Sequence, residues 1–372
     1  MKVGLITYHS AYNFGSVLQA YATQKAVERI VGNCAIINYR MNEQKIMYSN
    51  LRTKYGIKPF IKDLVLLPEW NARKERAKKF ESFIRESLNL TQEFSEPEKA
   101  GEYWKSFDVM VSGSDQIWNK NSLEFYNNDW KYMNPYLLYG FKGKKISYAS
   151  STANMSKDDL YRIKDKLIDF DSIAMREHSS VKIISELTGK SVAAVLDPTF
   201  LLTADEWRNS FGIEDNKREN YILYYSLYSI SDVNSAIKSV KTFARKRGCE
   251  VIAITPFVPP VRGVKTIYDT GPIEFLKLLN RAKYIITDSY HGTILSVNFH
   301  KDMYSICKKG GSEFRKTDIL NDLGIGNRII YDIRELENKK WDEIEYSAVD
   351  AKLERLRVES QGYLQKALLC ET

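Results

Sequence analysis

Val3-Gly-Leu-Ile-Thr-Tyr-His-Ser-Ala-Tyr-Asn-Phe-Gly-Ser-Val-Leu-Gln-Ala-Tyr-Ala22 begins with a short apolar run, Val3 to Thr7. Apolar residues then recur at helical spacing: Val17, Leu18, Tyr21, Ala22 and Ala26. The reading is a buried strand that turns into a helix over Phe14 to Val31. Asn13 stands where a helix N-cap belongs, and Gly15 lets the backbone come close to a ligand, as at the ligand end of an α/β unit. Working outward, further β-type runs lie at Cys34 to Tyr39, Asp108 to Ser112, Lys145 to Ala149, Ser172 to Met175 and Val192 to Leu196. Helical stretches at Asp158 to Phe170 and Ser179 to Leu187 separate the last three.

After Asp197-Pro198 and the charged stretch Glu214 to Asn220, the alternation restarts. Strands are expected at Tyr221 to Leu227, Val251 to Thr255, Tyr284 to Thr287 and Met303 to Ile306, with helices at Val233 to Arg247, Pro272 to Arg281 and Thr293 to Phe299. Parallel strands need crossovers of this kind, so repeated βα units predict an α/β protein with mostly parallel sheets. At 372 residues the chain exceeds what one core usually organises, so two such halves facing across a cleft are expected. The division reads as an N-terminal domain over 1–204, a C-terminal domain over 205–340, and a helix over 341–372 that packs back on the body.

Residues 45–105 break the rhythm and read as a basic helical insertion carrying Trp70, Arg73, Lys74, Arg76, Lys78, Lys79, Phe80, Phe83 and Arg85. Basic helices with interleaved aromatics rest on anionic membrane surfaces, but most charge runs are solvated helix faces, and both readings stay open. The balance of 55 basic and 47 acidic residues favours anionic partners without singling out nucleic acid, and none is expected. Cys34, Cys249, Cys307 and Cys370 are scattered, with no zinc-ligand spacing, so no metal is expected. No apolar run reaches the length of a signal-peptide core or a membrane span, which predicts a cytoplasmic protein, with the insertion offering peripheral contact at the inner membrane face.

Three strand-to-helix turns carry the candidate chemistry. His9 and Asn13 follow the first strand, where free backbone N–H groups meet an anion or a sugar hydroxyl, or where the helix is simply well capped. Val109-Met-Val-Ser-Gly-Ser-Asp-Gln-Ile-Trp-Asn119 ends another buried strand in a polar turn. There Asp115 is expected to orient or deprotonate a hydroxyl, Gln116 and Asn119 to bind sugar oxygens, and Trp118 to stack on a sugar face. Ile285-Ile-Thr-Asp-Ser-Tyr-His-Gly-Thr293 is the third, and His291 is expected to face the cleft. A helix N-terminus disfavours an imidazolium and a bound phosphate or carboxylate favours it, so His291 reads as a general acid charged by its ligand. Arg176 and Arg315 each follow a strand, and their guanidinium forks suit a carboxylate or phosphate, or alternatively a salt bridge between domains.

Taken together, these motifs resemble the polysaccharide pyruvyl transferase family. The resemblance rests on His9 with Asn13-Phe-Gly-Ser-Val-Leu-Gln-Ala-Tyr-Ala22, Gly113-Ser-Asp-Gln-Ile-Trp-Asn119, Met175-Arg-Glu177, Val195-Leu-Asp-Pro198, Asp288-Ser-Tyr-His-Gly292, and Ser312 with Arg315. It implies a GT-B-like fold of two Rossmann-like domains with the site between them. The implied reaction transfers pyruvate from phosphoenolpyruvate, as co-substrate, to a glycan as a ketal, with no cofactor. By resemblance, His291 is the catalytic histidine and Arg176 binds the donor's anionic groups. Many members have Arg-Leu-His where this chain has Ser289-Tyr290-His291, so Arg315 or Lys308 is expected to compensate, with Ser289 and Gly292 completing the donor contacts. Capsular and exopolysaccharide precursors are built on lipid diphosphates, which makes a lipid-linked acceptor the expected partner. The competing readings are a nucleotide-sugar glycosyltransferase of the same build and a non-catalytic glycan-binding protein.

Overall fold

The computed structural model describes the chain except residues 53–56, 123, 126–128, 216–217, 309–312, 340–341 and 371–372. The chain forms two compact units: Met1–Ser49, Ser82–Leu201 and Glu354–Thr372 in the first, Asn50–Glu81 and Leu202–Leu353 in the second. The first unit carries strands β1 (Val3–Ile6), β2 (Cys34–Ile36), β3 (Val109–Ser112), β4 (Lys144–Ser147), β5 (Ile173–Met175) and β6 (Val192–Ala194). The second carries β7 (Glu219–Tyr225), β8 (Glu250–Ile254), β9 (Lys265–Thr266), β10 (Ala282–Thr287), β11 (Asp302–Ile306) and β12 (Ile329–Ile330). Every described strand pair is parallel. The short strands β9 and β12 escape sequence reading because two residues are too few to show a period.

The first unit's main sheet runs β2-β1-β3-β4, and β5-β6 continues beside β4 through single bridges from Ile146 to Ser172 and Ser150 to Met175. Leu5, Ile6, Met110, Val111 and Ile146 are fully buried. Helices cover both faces of these strands, so they read as continuous apolar runs rather than alternating ones. The second unit's sheet runs β12-β11-β10-β7-β8-β9. Each sheet therefore has one place where the strand order reverses, between β1 and β3 in the first unit and between β7 and β10 in the second. Loops leaving such a pair diverge and open a crevice at the carboxyl ends of the strands, where α/β sheets bind ligands. Ile6 lies opposite Ser112, and Thr287 opposite Tyr225, so in each unit the two loops start level.

The basic insertion forms two helices, Ile57–Val65 and Trp70–Ser87. Two aromatics of the longer helix, Phe80 and Phe83, are buried core residues, and Trp70 is half-buried. Several of its cations have partners in the second unit. Arg73 lies 3.3 Å from the buried carboxylate of Asp63, which Arg52 also grips at 2.7 Å. Arg76 lies over the Phe80 ring, and Lys79 is 3.5 Å from Asp269. The aromatic spacing that suggested a membrane face on this helix is thus the spacing of its buried side. The final helix, Tyr346–Leu369, ties residues 354–372 into the first unit. Ser360 Oγ accepts from Leu196 N–H, and Tyr363 O–H donates to Ser147 O.

Candidate active site

In the first unit, the turn after β3 is possible only because residue 113 has no side chain. A Cβ there would sit 2.0 Å from the Tyr148 carbonyl oxygen, at φ +139°. The turn delivers Asp115, itself left-handed at φ +73°, to the crevice beside β1. Its carboxylate accepts from Ser16 Oγ at 2.8 Å and from Gln116 N–H at 2.8 Å, and lies 3.6 Å from Arg176 Nη2. The Arg176 side chain is almost wholly buried and donates through Nη1 to Asp197 at 2.8 Å. Of the two readings of Arg176, a salt bridge does form, and both its acidic partners belong to the first unit.

The other expected residues of this unit are largely occupied by the fold. Trp118 corrects the stacking expectation: it is fully buried, donates through Nε1 to Tyr136 O at 3.1 Å, and meets Phe170 edge-on. The apolar ring was core, not a sugar platform. His9 is likewise buried, its ring nitrogens 3.2 Å from Thr7 O and 2.9 Å from Asn38 Oδ1, and burial lowers its basicity. Neither nitrogen is presented to a glycan. Asn13 caps the first helix by accepting from Gly15 N–H at 2.9 Å, and Asn119 Nδ2 donates to Gln116 Oε1 at 2.9 Å.

A carboxyl group not singled out in the sequence lies close by. Glu124 follows β3, is buried, and accepts from Gln44 Nε2 on one oxygen and Tyr48 O–H on the other. Ser10 Oγ in turn donates to Gln44 Oε1 at 3.0 Å, so loops following β1, β2 and β3 meet around this carboxyl. Burial, with Asp115 nearby, pushes Glu124 up to about 7. No local motif marks Glu124, because the contacts that perturb it come from other strands' loops.

In the second unit, His291 stands in the first turn of the helix Tyr290–Asn298, immediately after β10. Ser289 caps this helix by accepting from Gly292 N–H at 3.2 Å, and Ser289 N–H donates to Thr287 Oγ1 at 3.0 Å. A Cβ on Gly292 would come within 2.6 Å of Thr287 Oγ1 and 2.9 Å of the Tyr225 ring, so the helix start packs against β7 and β10 more closely than alanine permits. The His291 ring is 7% exposed and meets the Tyr290 ring edge-on at 5.1 Å. The Arg315 guanidinium lies over that same Tyr290 ring at 5.4 Å. Lys308 is exposed, bridges Asp232 at 3.0 Å, and sits over the Tyr228 ring at 4.3 Å. Ser312 lies outside the described residues.

Two further side chains hold this turn. Asp288 accepts from Ser226 Oγ and from Leu227 N–H at 2.8 Å, joining the loops after β7 and β10, and burial pushes it up to about 6. Lys316 is buried and donates to Asp288 O at 2.8 Å and Ile306 O at 2.6 Å, with Glu313 Oε2 at 2.8 Å as its third acceptor. One ammonium thus fastens the ends of β10 and β11 together. In the sequence Lys316 stands between Arg315 and Thr317, with nothing to separate it from surface lysines. Among the described residues, no group of three or more His, Cys, Asp or Glu side chains is placed to hold a metal ion.

The sequence profile of the polysaccharide pyruvyl transferase family matches residues 13–306. The chain belongs to that family. The match contains Asp115, Arg176, Asp288 and His291 and leaves out His9, Lys308 and Arg315. No curated protein matches the chain. Among solved structures, the UDP-GlcNAc 2-epimerase of Methanocaldococcus jannaschii, in complex with UDP-GlcNAc and UDP, superposes with a TM-score of 0.51 at 11% identity, over 96% of this chain and 99% of its own. Arabidopsis thaliana UGT89C1, complexed with UDP-L-rhamnose, gives 0.50 at 10% identity over 99% of both chains. These likenesses place this pyruvyl transferase family member in the GT-B-like fold, as the sequence led one to expect. Among the described residues, no helix is long and apolar enough to cross a membrane.

Proposed function

We propose that this family member transfers pyruvate from phosphoenolpyruvate to two hydroxyls of one sugar in a cell-surface polysaccharide or its lipid-linked precursor, forming a ketal. The observation that carries the reading is His291 in the first turn of the helix after β10, at the strand-order reversal of the second unit. The N–H groups of that helix start and the guanidinium of Arg315 attract the donor's phosphate and carboxylate. His291, charged in their presence, gives its proton to the methylene carbon, C3, and the neighbouring C2 becomes oxocarbenium-like. A sugar hydroxyl oxygen bonds to C2 and loses its proton to a base. The C2–O bond to phosphate then breaks, and a second hydroxyl of the same sugar closes the ring as its proton leaves. Of the two hydroxyl protons, one balances that given to C3 and the other leaves with phosphate.

Glu124 suits the base better than Asp115. Asp115 is already engaged by Arg176, Ser16 and the Gln116 N–H. A buried carboxyl poised near neutrality takes a proton more readily. Arg176 then acts as a positioning residue that holds Asp115 and the turn after β3. The test is to incubate the purified protein with phosphoenolpyruvate and galactosides, glucosides and N-acetylmannosaminides, reading phosphate release and product mass. Phosphate release with an added pyruvate ketal is expected, and His291→Ala should reduce it by about 100-fold or more with the fold unchanged. Inertness toward phosphoenolpyruvate with turnover of a nucleotide sugar would replace this reading by a glycosyltransferase.

A further inference from the structure

Large apolar side chains exposed among the described residues are scattered, except in one place. Ile61, Leu64, Val65 and Leu67 are exposed by 52, 43, 51 and 45%. They belong to the helix Ile57–Val65 and the short turn Leu67–Glu69 after it. Positions 61, 64 and 65 share one helix face. The opposite orientation would bury them, and the docking of Asp63 prevents it. Asp63, on the other side of the same helix, is fully buried and clamped by Arg52 at 2.7 Å and Arg73 at 3.3 Å, with Arg52 N–H also donating to it at 2.8 Å. Leu66 is buried beside it. The helix is thus docked through its one acidic residue and presents its aliphatic face outward, an arrangement that an ordinary solvated helix has no use for.

The charge of the segment around that face is mostly positive. The segment from Asn50 to Glu81 contains nine basic and four acidic residues, and one of the four is the buried Asp63. Lys58 and Lys62 stand in the sequence of the helix, and Lys74 and Lys78 are exposed on the helix that follows, Lys78 3.1 Å from Glu75. An outward aliphatic stripe set among lysines complements a surface whose interior is hydrocarbon and whose rim is anionic. We propose that the helix Ile57–Val65 is a membrane-docking element, inserting Ile61, Leu64, Val65 and Leu67 into the acyl boundary of an anionic bilayer while the surrounding lysines meet the phosphate headgroups. The inference does not depend on which donor the second unit binds.

The experiment is flotation of the full chain with vesicles of phosphatidylglycerol mixed with phosphatidylcholine, against phosphatidylcholine alone, at low and high salt. Phosphate release with a water-soluble acceptor is read in parallel. Binding to the anionic vesicles is expected, weakened by salt, with little binding to phosphatidylcholine alone. The double variant Ile61→Ser, Leu64→Ser should bind anionic vesicles about tenfold more weakly, with an unchanged melting temperature because both side chains are exposed, and with unchanged phosphate release. A wild-type chain that ignores anionic vesicles, or a variant that binds as wild type does, overturns the proposal. So does a dimer in sedimentation that the same substitutions split, which would assign the stripe to a second copy of this chain. Absence of phosphate release from the wild type would count against the pyruvyl transfer reading and leave the vesicle result standing.

Discussion

The two strand-order reversals use the same backbone device and fill it with opposite electrostatics. After β3, the turn aims a carboxylate, Asp115, at a cation, Arg176, that a second carboxylate, Asp197, already holds. After β10, the carboxylate, Asp288, is turned inward to tie two loops, and the groups left at the helix start are His291 and, over the neighbouring Tyr290, Arg315. One reversal carries a buried ion-pair cluster and the other a capped helix N-terminus carrying an imidazole. The difference teaches that position in an α/β sheet nominates a site, while charge balance decides which partner it accepts.

That contrast can be broken by removing each cation. Arg176→Met leaves Asp115 and Asp197 without their buried counter-charge and should cost about 3–5 kcal/mol in urea unfolding. Lys316→Met leaves two carbonyl oxygens unmet and a half-exposed Glu313 able to reach water, so the loss should be nearer about 2–3 kcal/mol. The reverse ranking would mean that the second unit's turn, not the first's, holds the tighter ion cluster. Gly292→Ala presses a methyl group onto Thr287 Oγ1 and the Tyr225 ring. It should cost about 1–3 kcal/mol through overpacking and displace His291 with the helix start, lowering phosphate release as well as the melting temperature. A variant with normal stability and normal turnover would show that the close packing there is dispensable.

A smaller effect compares the two raised carboxyl groups. Asp288 is raised to about 6 and Glu124 to about 7, each by burial. An unfolded chain releases these protons near pH 4, so between that pH and the folded value the native state holds the extra proton. The stability linked to it is complete below about pH 4 and is lost as pH rises, through about 6 for Asp288 and about 7 for Glu124. Unfolding midpoints measured from pH 4 to 8 should therefore fall less steeply in Asp288→Asn and in Glu124→Gln than in the wild type, with the Glu124 difference extending to the higher pH. Equal slopes in all three proteins would show that neither carboxyl keeps its proton in the fold.

The βα rhythm was legible because the strands are covered on both faces and show as apolar runs, while the helices show one apolar stripe. The turns were legible for the same reason: Gly113 and Gly292 punctuate the ends of strong strands, and Asp115 and His291 stand beside them. What misled was side-chain identity without orientation. Trp118 and the aromatics Phe80 and Phe83 have the composition of binding surfaces, yet they face inward, since large rings at such positions are worth more as core than as contact. Glu124 and Lys316 were passed over for the converse reason. A buried charge in a loop reads like any exposed one until the acceptors or donors around it are known.

By itself, the sequence determined the α/β class, the parallel sheets, the family and the strand-to-helix turns, because each depends on residues near one another in the chain. Tertiary structure alone decided that Arg176 is shared by Asp115 and Asp197, that Lys316 closes on carbonyls from two strands, and that Asp63 turns the aliphatic face of its helix outward. Those are outcomes of burial and charge pairing between distant segments. Periodicity records which side of an element is apolar, and only the assembled fold determines what that side, or its opposite, comes to meet.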